Sequence, residues 1–375
     1  MISIPKAFSS SYAEARVKFL EAAATAGINV QSHTHPLRGR DGEELAMDVA
    51  RDGPMDAPNL LIVSSACHGV EGYCGSGVQV HALNDADWLE KARASGTAVL
   101  YIHALNPFGF SHIRRTTHEN VDLNRNFQDF NQPLPDNVAY RALHDLILPE
   151  QWPPNAANQA ATLAFITKHG EAAYQSAITQ GQHEFADGLF YGGNSPTWSN
   201  QTLRGVLRKH TASSKRIGWI DLHTGLGVSG HGERIWAGRD DPVAVERARS
   251  WWGGKNDGVD GSPATPITSI YDGSSTSAFL TGLMWHSIYQ EAPQAEYTGI
   301  AMEFGTVPIL DVLGALRAEH WLNNHPEKSL ELAKQIKAQM LAAFYTNTDL
   351  WRGQIISQAR QAMFQAVDGL SNNAS

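Results

Sequence analysis

The sequence predicts an α/β protein with one mixed, mostly parallel central sheet flanked by helices. Continuous apolar runs near 44–49, 59–66, 98–105, 216–223, 233–237 and 300–304 have the length of strands, and several lack the polar alternation of half-exposed ones. Helical periodicity lies between them, at 10–24, 76–94, 138–148, 156–179, 201–212 and 243–252, which gives the alternation typical of such folds. After residue 303 only helices are expected, over 307–322, 326–345 and 350–369, packing back on the sheet. Gln151-Trp-Pro-Pro154 breaks a helix and 253–266 is rich in Gly, Asp and Pro, but neither stretch is long enough to separate independent units. Residues 1–375 are therefore expected to form a single domain, fraying over 371–375.

The chemistry-bearing residues sit where these strands end. Ser64-Ser-Ala-Cys-His-Gly-Val-Glu-Gly72 delivers His68 and Glu71 three positions apart on a tight turn, so both face one way. Imidazole nitrogen and carboxylate oxygen suit Zn²⁺ at about 2.0–2.2 Å. A hydrolytic zinc needs a third protein ligand and an open position, and His223, closing the run Arg216-Ile-Gly-Trp-Ile-Asp-Leu-His223, is the candidate. Asp221 shares its strand face and can orient it.

Two further segments add charge. Asn120-Val-Asp-Leu-Asn-Arg-Asn-Phe127 is too polar for a core, and its Arg125 offers a planar fork suited to a carboxylate, with Asn124 beside it. Gly299-Ile-Ala-Met-Glu-Phe-Gly-Thr306 buries one carboxylate, Glu303, in an apolar strand, which calls for a cation or a bound water nearby. Asn106-Pro-Phe-Gly109 ends another apolar run, and Arg114-Arg115 follow.

In this order the motifs resemble the zinc carboxypeptidase superfamily over roughly residues 60–306. Asp221-Leu-His-Thr is most similar to its succinylglutamate desuccinylase and aspartoacylase branch, while Asn120–Phe127 is closer to the peptidases. The resemblance implies one zinc ion per chain held by His68, Glu71 and His223, with Glu303 as general base and acid. It further implies that Asn124 and Arg125 hold a substrate carboxylate and that Arg115, rather than Arg114, stabilises the oxyanion. Peptidases of the superfamily use a mobile tyrosine; Tyr271 is taken as substrate-binding, with Tyr289 and Tyr297 as competitors. The Asn-Pro-Phe-Gly segment departs from the commoner Asn-Pro-Asp-Gly at a position away from the ligands.

The expected activity is cleavage of an amide bond next to a free carboxylate, by a metallocarboxypeptidase acting on peptides or, alternatively, by a deacylase of N-acyl amino acids. A catalytically inactive metal- or peptide-binding protein is the reading from another class. Gly225-Leu-Gly-Val-Ser-Gly230 has dinucleotide-binding spacing, but the following His231-Gly-Glu-Arg-Ile-Trp-Ala-Gly238 reads as strand, where that fingerprint requires a helix. His231 and Glu233 are set aside as pocket-rim residues and Cys67 as a packed thiol, while Phe190-Tyr-Gly-Gly-Asn-Ser-Pro196 could wall a substrate pocket but reads first as an aromatic turn.

Composition agrees with an enzyme of 375 residues, 42% hydrophobic and 18% charged. A formal net charge of −9 argues against nucleic acid or an anionic membrane as partner. No run approaches the roughly 18 apolar residues of a membrane span. With two cysteines and no basic-then-apolar leader pattern, a reduced, cytoplasmic setting is expected; oligomeric state stays open.

Overall fold

The computed structural model describes residues 2–253 and 266–372, so the 253–266 loop and the 371–375 end fall almost wholly outside the described residues. Its eight strands are β1 (Val30–Arg38), β2 (Glu44–Asp52), β3 (Asn59–Ser65), β4 (Ala98–His103), β5 (Arg216–Gly225), β6 (Gly232–Trp236), β7 (Ile267–Thr268) and β8 (Glu296–Gly305). They form one mixed sheet in the order β1-β2-β4-β3-β5-β8-β6-β7. The middle four, β4, β3, β5 and β8, run parallel, whereas β2 and β6 are antiparallel to the strands they flank.

This order creates a crevice. From β3 the chain goes to β4 on one side, and it later returns to place β5 on the other, so connections leave β3 and β5 in opposite directions. In open α/β sheets such a switch point, at the carboxyl ends of the strands, is where ligands bind. Alternation along the strands divides the core in two. Leu61, Val63, Ile220 and Leu222 pack on one face beneath the helices Tyr12–Thr25, Gly72–Leu83 and Asp349–Ser371. Leu60, Ile62, Ile217 and Trp219 pack on the other, beneath the helix Trp198–Thr211. Ser64, Asp221 and His223 follow the second alternation, so their side chains emerge on that face at the crevice.

The sheet runs wider than the apolar runs indicated. β1 is a largely exposed edge strand of sequence Val-Gln-Ser-His-Thr-His-Pro-Leu-Arg, and β7 has two residues; neither carries an apolar signal. Several expected helices are pairs. Residues 76–94 divide into Gly72–Leu83 and Ala86–Ala94, because the Asp85 side chain caps the second by accepting from Trp88 N at 3.3 Å. Residues 156–179 divide at Gly170, whose φ of +88° ends Ala156–His169 and starts Glu171–Thr179. Of the last three helices, Asp349–Ser371 lies along the sheet through Ile355, Met363 and Val367. The helices Ile309–Asn324 and Leu330–Phe344 pair with each other and close the end of the crevice.

The turn bearing His68 is held by backbone. β3 ends at Ser65, Ala66 takes φ +58°, and Leu105 N and Asn106 N donate to Ser65 O and Ala66 O at 3.0 and 2.9 Å. The Asn-Pro-Phe-Gly segment makes the next layer: Asn106 Oδ1 caps its helix at Gly109 N, and Asn106 Nδ2 donates to Arg115 O. Gly69 N and Val70 N in turn donate to Arg115 O and Arg114 O. This stacking needs two glycines, since a Cβ on Gly69 would lie 2.1 Å from Gly109 C. Gly69→Ala is therefore expected to cost about 1–3 kcal/mol by urea or thermal unfolding; a change within roughly 0.5 kcal/mol would show the two turns free to separate.

Candidate metal centre

Three strands deliver the central side chains. His68 and Glu71 follow β3, His223 lies near the end of β5, and Glu303 is its register partner on β8. Glu71 Oε1 is 2.9 Å from His68 Nδ1, and Glu71 Oε2 is 2.9 Å from His223 Nδ1. The far side of each ring faces another acid: His223 Nε2 is 2.5 Å from Asp221 Oδ2, and His68 Nε2 is 3.3 Å from Asp122 Oδ1. Ser64 Oγ donates to Asp221 Oδ1 at 2.5 Å, and Trp219 Nε1 donates to Ser64 Oγ at 2.7 Å. Each imidazole is thus oriented from behind by a carboxylate, with Nδ1 aimed at one point beside Glu71.

This donor set fits a divalent ion. His68, Glu71 and His223 each bring a ligand atom within 4.8 Å of the others, and a carboxylate behind an imidazole is what fixes the tautomer of a metal-binding histidine. Charge points the same way. Glu71, Asp122, Asp221 and Glu303 gather around Arg115 and Arg125, so acids outnumber the permanent cations here. Cys67 forms a second group with Asp221 and His223, but burial pushes its thiol pKa well up and Asp221 is already engaged by His223 and Ser64.

The acids respond to these neighbours. Burial would raise Glu71, yet His68 and His223 hold it well below the usual carboxylate range. Burial likewise opposes the charge on Asp122, and Arg115, Arg125 and His68 overcome it. For His223, Asp221 and Glu71 outweigh burial and raise its pKa well above the ordinary imidazole value. Glu303 goes the other way: burial, then the negative charge of Glu71, push it up to about 8, although Leu226 N donates to its Oε1 at 2.9 Å.

Arg115 and Arg125 share one cavity with Glu303, His68, Glu71 and His223. Arg115 Nε donates to Asp122 at 2.8 Å, and its Nη2 lies 2.8 Å from His68 Nε2. Arg114 instead turns away to Glu319 and Asn120. Arg125 is held by three bonds to the carbonyls of Thr179 and Asn124, which leave one N–H on each terminal nitrogen. Asn124 Oδ1 accepts from Met284 N at 2.8 Å.

The structure does not bring Tyr271 to this group. Its hydroxyl donates to Gly238 O at 2.8 Å, and its ring lies outside the cavity. Tyr297 is tied to Ala237 O, and the Tyr289 hydroxyl accepts from Arg239 N, so none of the three tyrosines lines the cavity. The reason is local: Glu233 accepts from Thr268 and Thr276 and pins the segment that carries Tyr271 onto β6. His231 is exposed, and residues 225–230 form a turn between strands with no helix.

One wall residue comes from the aromatic and glycine segment 190–196, read first as a turn. Phe190 lines the cavity with its ring under both guanidiniums, at 4.9 Å from Arg115 Cζ and 5.6 Å from Arg125 Cζ. Its φ is +52°, held by Gln182 N donating to Phe190 O. Ala66, Ile113, Asn120 and Phe190 are the non-glycine residues with positive φ among the described residues, and each lies in a segment that builds this site. No sequence pattern marks such positions, because the residue types are ordinary.

The raised pKa of Glu303 has a consequence for the metal-free protein. Unfolded, this carboxyl ionises near 4.5; folded, it keeps its proton to about 8. The folded state therefore binds more protons between those values, and stability falls as pH rises through that window. Glu303→Gln removes the loss, so after chelation its Tm should exceed that of the parent by a margin that grows from pH 5 to pH 8. A constant margin in differential scanning calorimetry would contradict the assignment.

No protein of curated function matches the sequence. Among solved structures the fold is similar to thrombin activatable fibrinolysis inhibitor, at 12% identity and a TM-score of 0.52, over 97% of this chain and 75% of that one. Weaker likenesses are metallo-carboxypeptidase from Burkholderia cenocepacia (13% identity, TM-score 0.39, 88% and 66% covered) and murein-tripeptide amidase MpaA from Escherichia coli O157 (14%, 0.37, 82% and 92%). The zinc carboxypeptidase-like fold implied by the motifs is the one observed. Residues 8–358 match the family described as protein of unknown function (DUF2817), and the chain belongs to that family.

Proposed function

We propose that this protein is a zinc-dependent hydrolase that cleaves an amide bond next to a free carboxylate. The observation that carries the reading is the convergence in one cavity of an oriented His68, Glu71 and His223 set with Glu303 and two arginines. A structural zinc would be closed by four ligands; here three are offered beside an open cavity.

Zinc, when bound, supplies a Lewis acid that polarises a carbonyl and acidifies water. The chain supplies the rest. Glu303, kept basic by burial and by Glu71, accepts a proton from water and passes it to the departing nitrogen. Once His68 Nδ1 serves as a ligand, its Nε2 keeps a proton for Asp122 and can no longer accept from Arg115. Arg115 Nη2 is then released toward a developing oxyanion while Nε stays on Asp122. The two remaining N–H groups of Arg125, with the Asn124 amide, hold the substrate carboxylate. Leu280, Trp285, Ile235 and Ala301 line the same side and favour an apolar side chain on the residue released. Carboxypeptidase and deacylase chemistry share all these parts and differ in what lies on the acyl side of the bond.

Metal analysis of the purified protein, joined to a mass-spectrometric screen of peptides and N-acyl amino acids, tests the reading. Stoichiometric zinc without hydrolysis across the panel would favour a binding protein. Glu303→Gln should retain zinc and lose about 10²–10⁴ in kcat; an active variant contradicts the base assignment. Arg125→Ala should raise KM for carboxylate substrates by about 10²-fold or more while leaving their amidated analogues little changed, in line with about 2–5 kcal/mol for losing one partner of a buried charge pair.

A further inference from the structure

One wall of this cavity is apolar for a structural reason. Ile309, Val312, Leu313 and Leu316 line it at spacings of i, i+3, i+4 and i+7, a complete apolar stripe of the helix Ile309–Asn324. Val312, Leu313 and Leu316 are buried in the hydrophobic core, and the stripe turns an edge to the cavity that His68, Glu71 and His223 also line. Phe344 and Leu226 complete the wall. Nearby polar groups are turned away from it. Thr224 Oγ1 donates to Phe344 O at 2.7 Å, Thr306 Oγ1 donates to Ala343 O at 2.6 Å, and Leu226 N is taken by Glu303.

Gln175, Thr179, Ser277 and Ala278 also line the cavity. Gln175 Nε2 donates to Thr276 O at 3.1 Å and ties their two segments together. The Glu233 bonds to Thr268 and Thr276 anchor the second of these to β6.

We propose that the substrate is a small N-acyl amino acid whose alkyl or aryl acyl group lies against the Ile309–Leu316 stripe, and not the end of a polypeptide. The inference rests on the hydrolase reading above. Every residue of a peptide brings an N–H and a C=O that need partners when buried, and the stripe, Phe344 and Leu226 have none to offer. An acyl chain needs none, and burying it against an apolar wall is favourable. In the reaction, water adds its oxygen to the acyl carbon and the C–N bond breaks. The acyl group leaves as a carboxylate, and the nitrogen takes a proton to give the free amino acid.

The test uses the zinc-loaded full chain with N-acetyl-, N-butanoyl-, N-hexanoyl- and N-octanoyl-leucine, and with a pentapeptide ending in leucine. If the stripe binds the acyl chain, kcat/KM rises roughly four-fold per methylene until the cavity is filled, the equivalent of about 0.8 kcal/mol per buried CH₂. The pentapeptide should fall at least about 100-fold below the best acyl substrate, from unpaired buried amides. A flat or falling series, or a pentapeptide cleaved as well as the best acyl-leucine, overturns the proposal and leaves the hydrolase reading standing. Zinc bound with no amide cleaved overturns both. Leu313→Asp should flatten the series. Ile309→Trp, at the half-buried end of the stripe and compatible with folding, should move the optimum to a shorter chain, and an unmoved optimum counts against the proposal.

Discussion

A buried carboxylate shared by two imidazoles organises this molecule. Glu71 lies between His68 and His223, contributed by adjacent parallel strands, and its charge is removed from water. Leaving such a group without partners would cost several kcal/mol, so β3 and β5 must stay in register, and the turns after them must aim their rings at one point. Asp122 and Asp221 complete the constraint from behind, and Arg115 and Arg125 compensate the added charge. Acids outnumber arginines at this centre, which suits the arrangement to a cation.

The loops meet this constraint through unusual backbone. Ala66 turns the chain out of β3, Ile113 precedes the arginine pair, Asn120 precedes Asp122, and Phe190 slides its ring beneath two guanidiniums, all with positive φ. Left-handed backbone costs a non-glycine residue of order 1–3 kcal/mol. Here the surrounding hydrogen bonds hold it: Asn106 through Ala66, and Gln182 through Phe190. Strain, burial and charge are concentrated at the switch point of the sheet, while its outer strands carry neither the ligands nor the arginines.

Parts of this were legible in the chain and parts were not. Six of the eight strands announced themselves as apolar runs, and His68, Glu71, His223, Glu303 and the arginine-bearing loop lay in short motifs at their ends. The choice of Arg115 over Arg114 came from the family resemblance; in the structure Arg115 reaches His68, and Arg114 bonds Glu319. Tyr271 was taken for a site residue because it precedes Glu303. The bonds from Thr268 and Thr276 to Glu233 hold its segment elsewhere, and no local pattern reveals bonds between residues more than 30 positions apart. The stripe of the helix Ile309–Asn324 was visible as helical periodicity, but a sequence does not say whether an apolar face meets a sheet or a cavity.

By itself the sequence marked the candidates for binding a metal and moving protons, and the strand ends on which they stand, because strand periodicity and motif spacing are local properties of the chain. Only the tertiary structure decided that His68, Glu71, His223 and Glu303 face one cavity, that Phe190 and the Ile309–Leu316 stripe wall it, and that Tyr271 does not. Those outcomes depend on strand order, on charge balance in a water-poor interior and on contacts between distant segments, which no window along the chain contains.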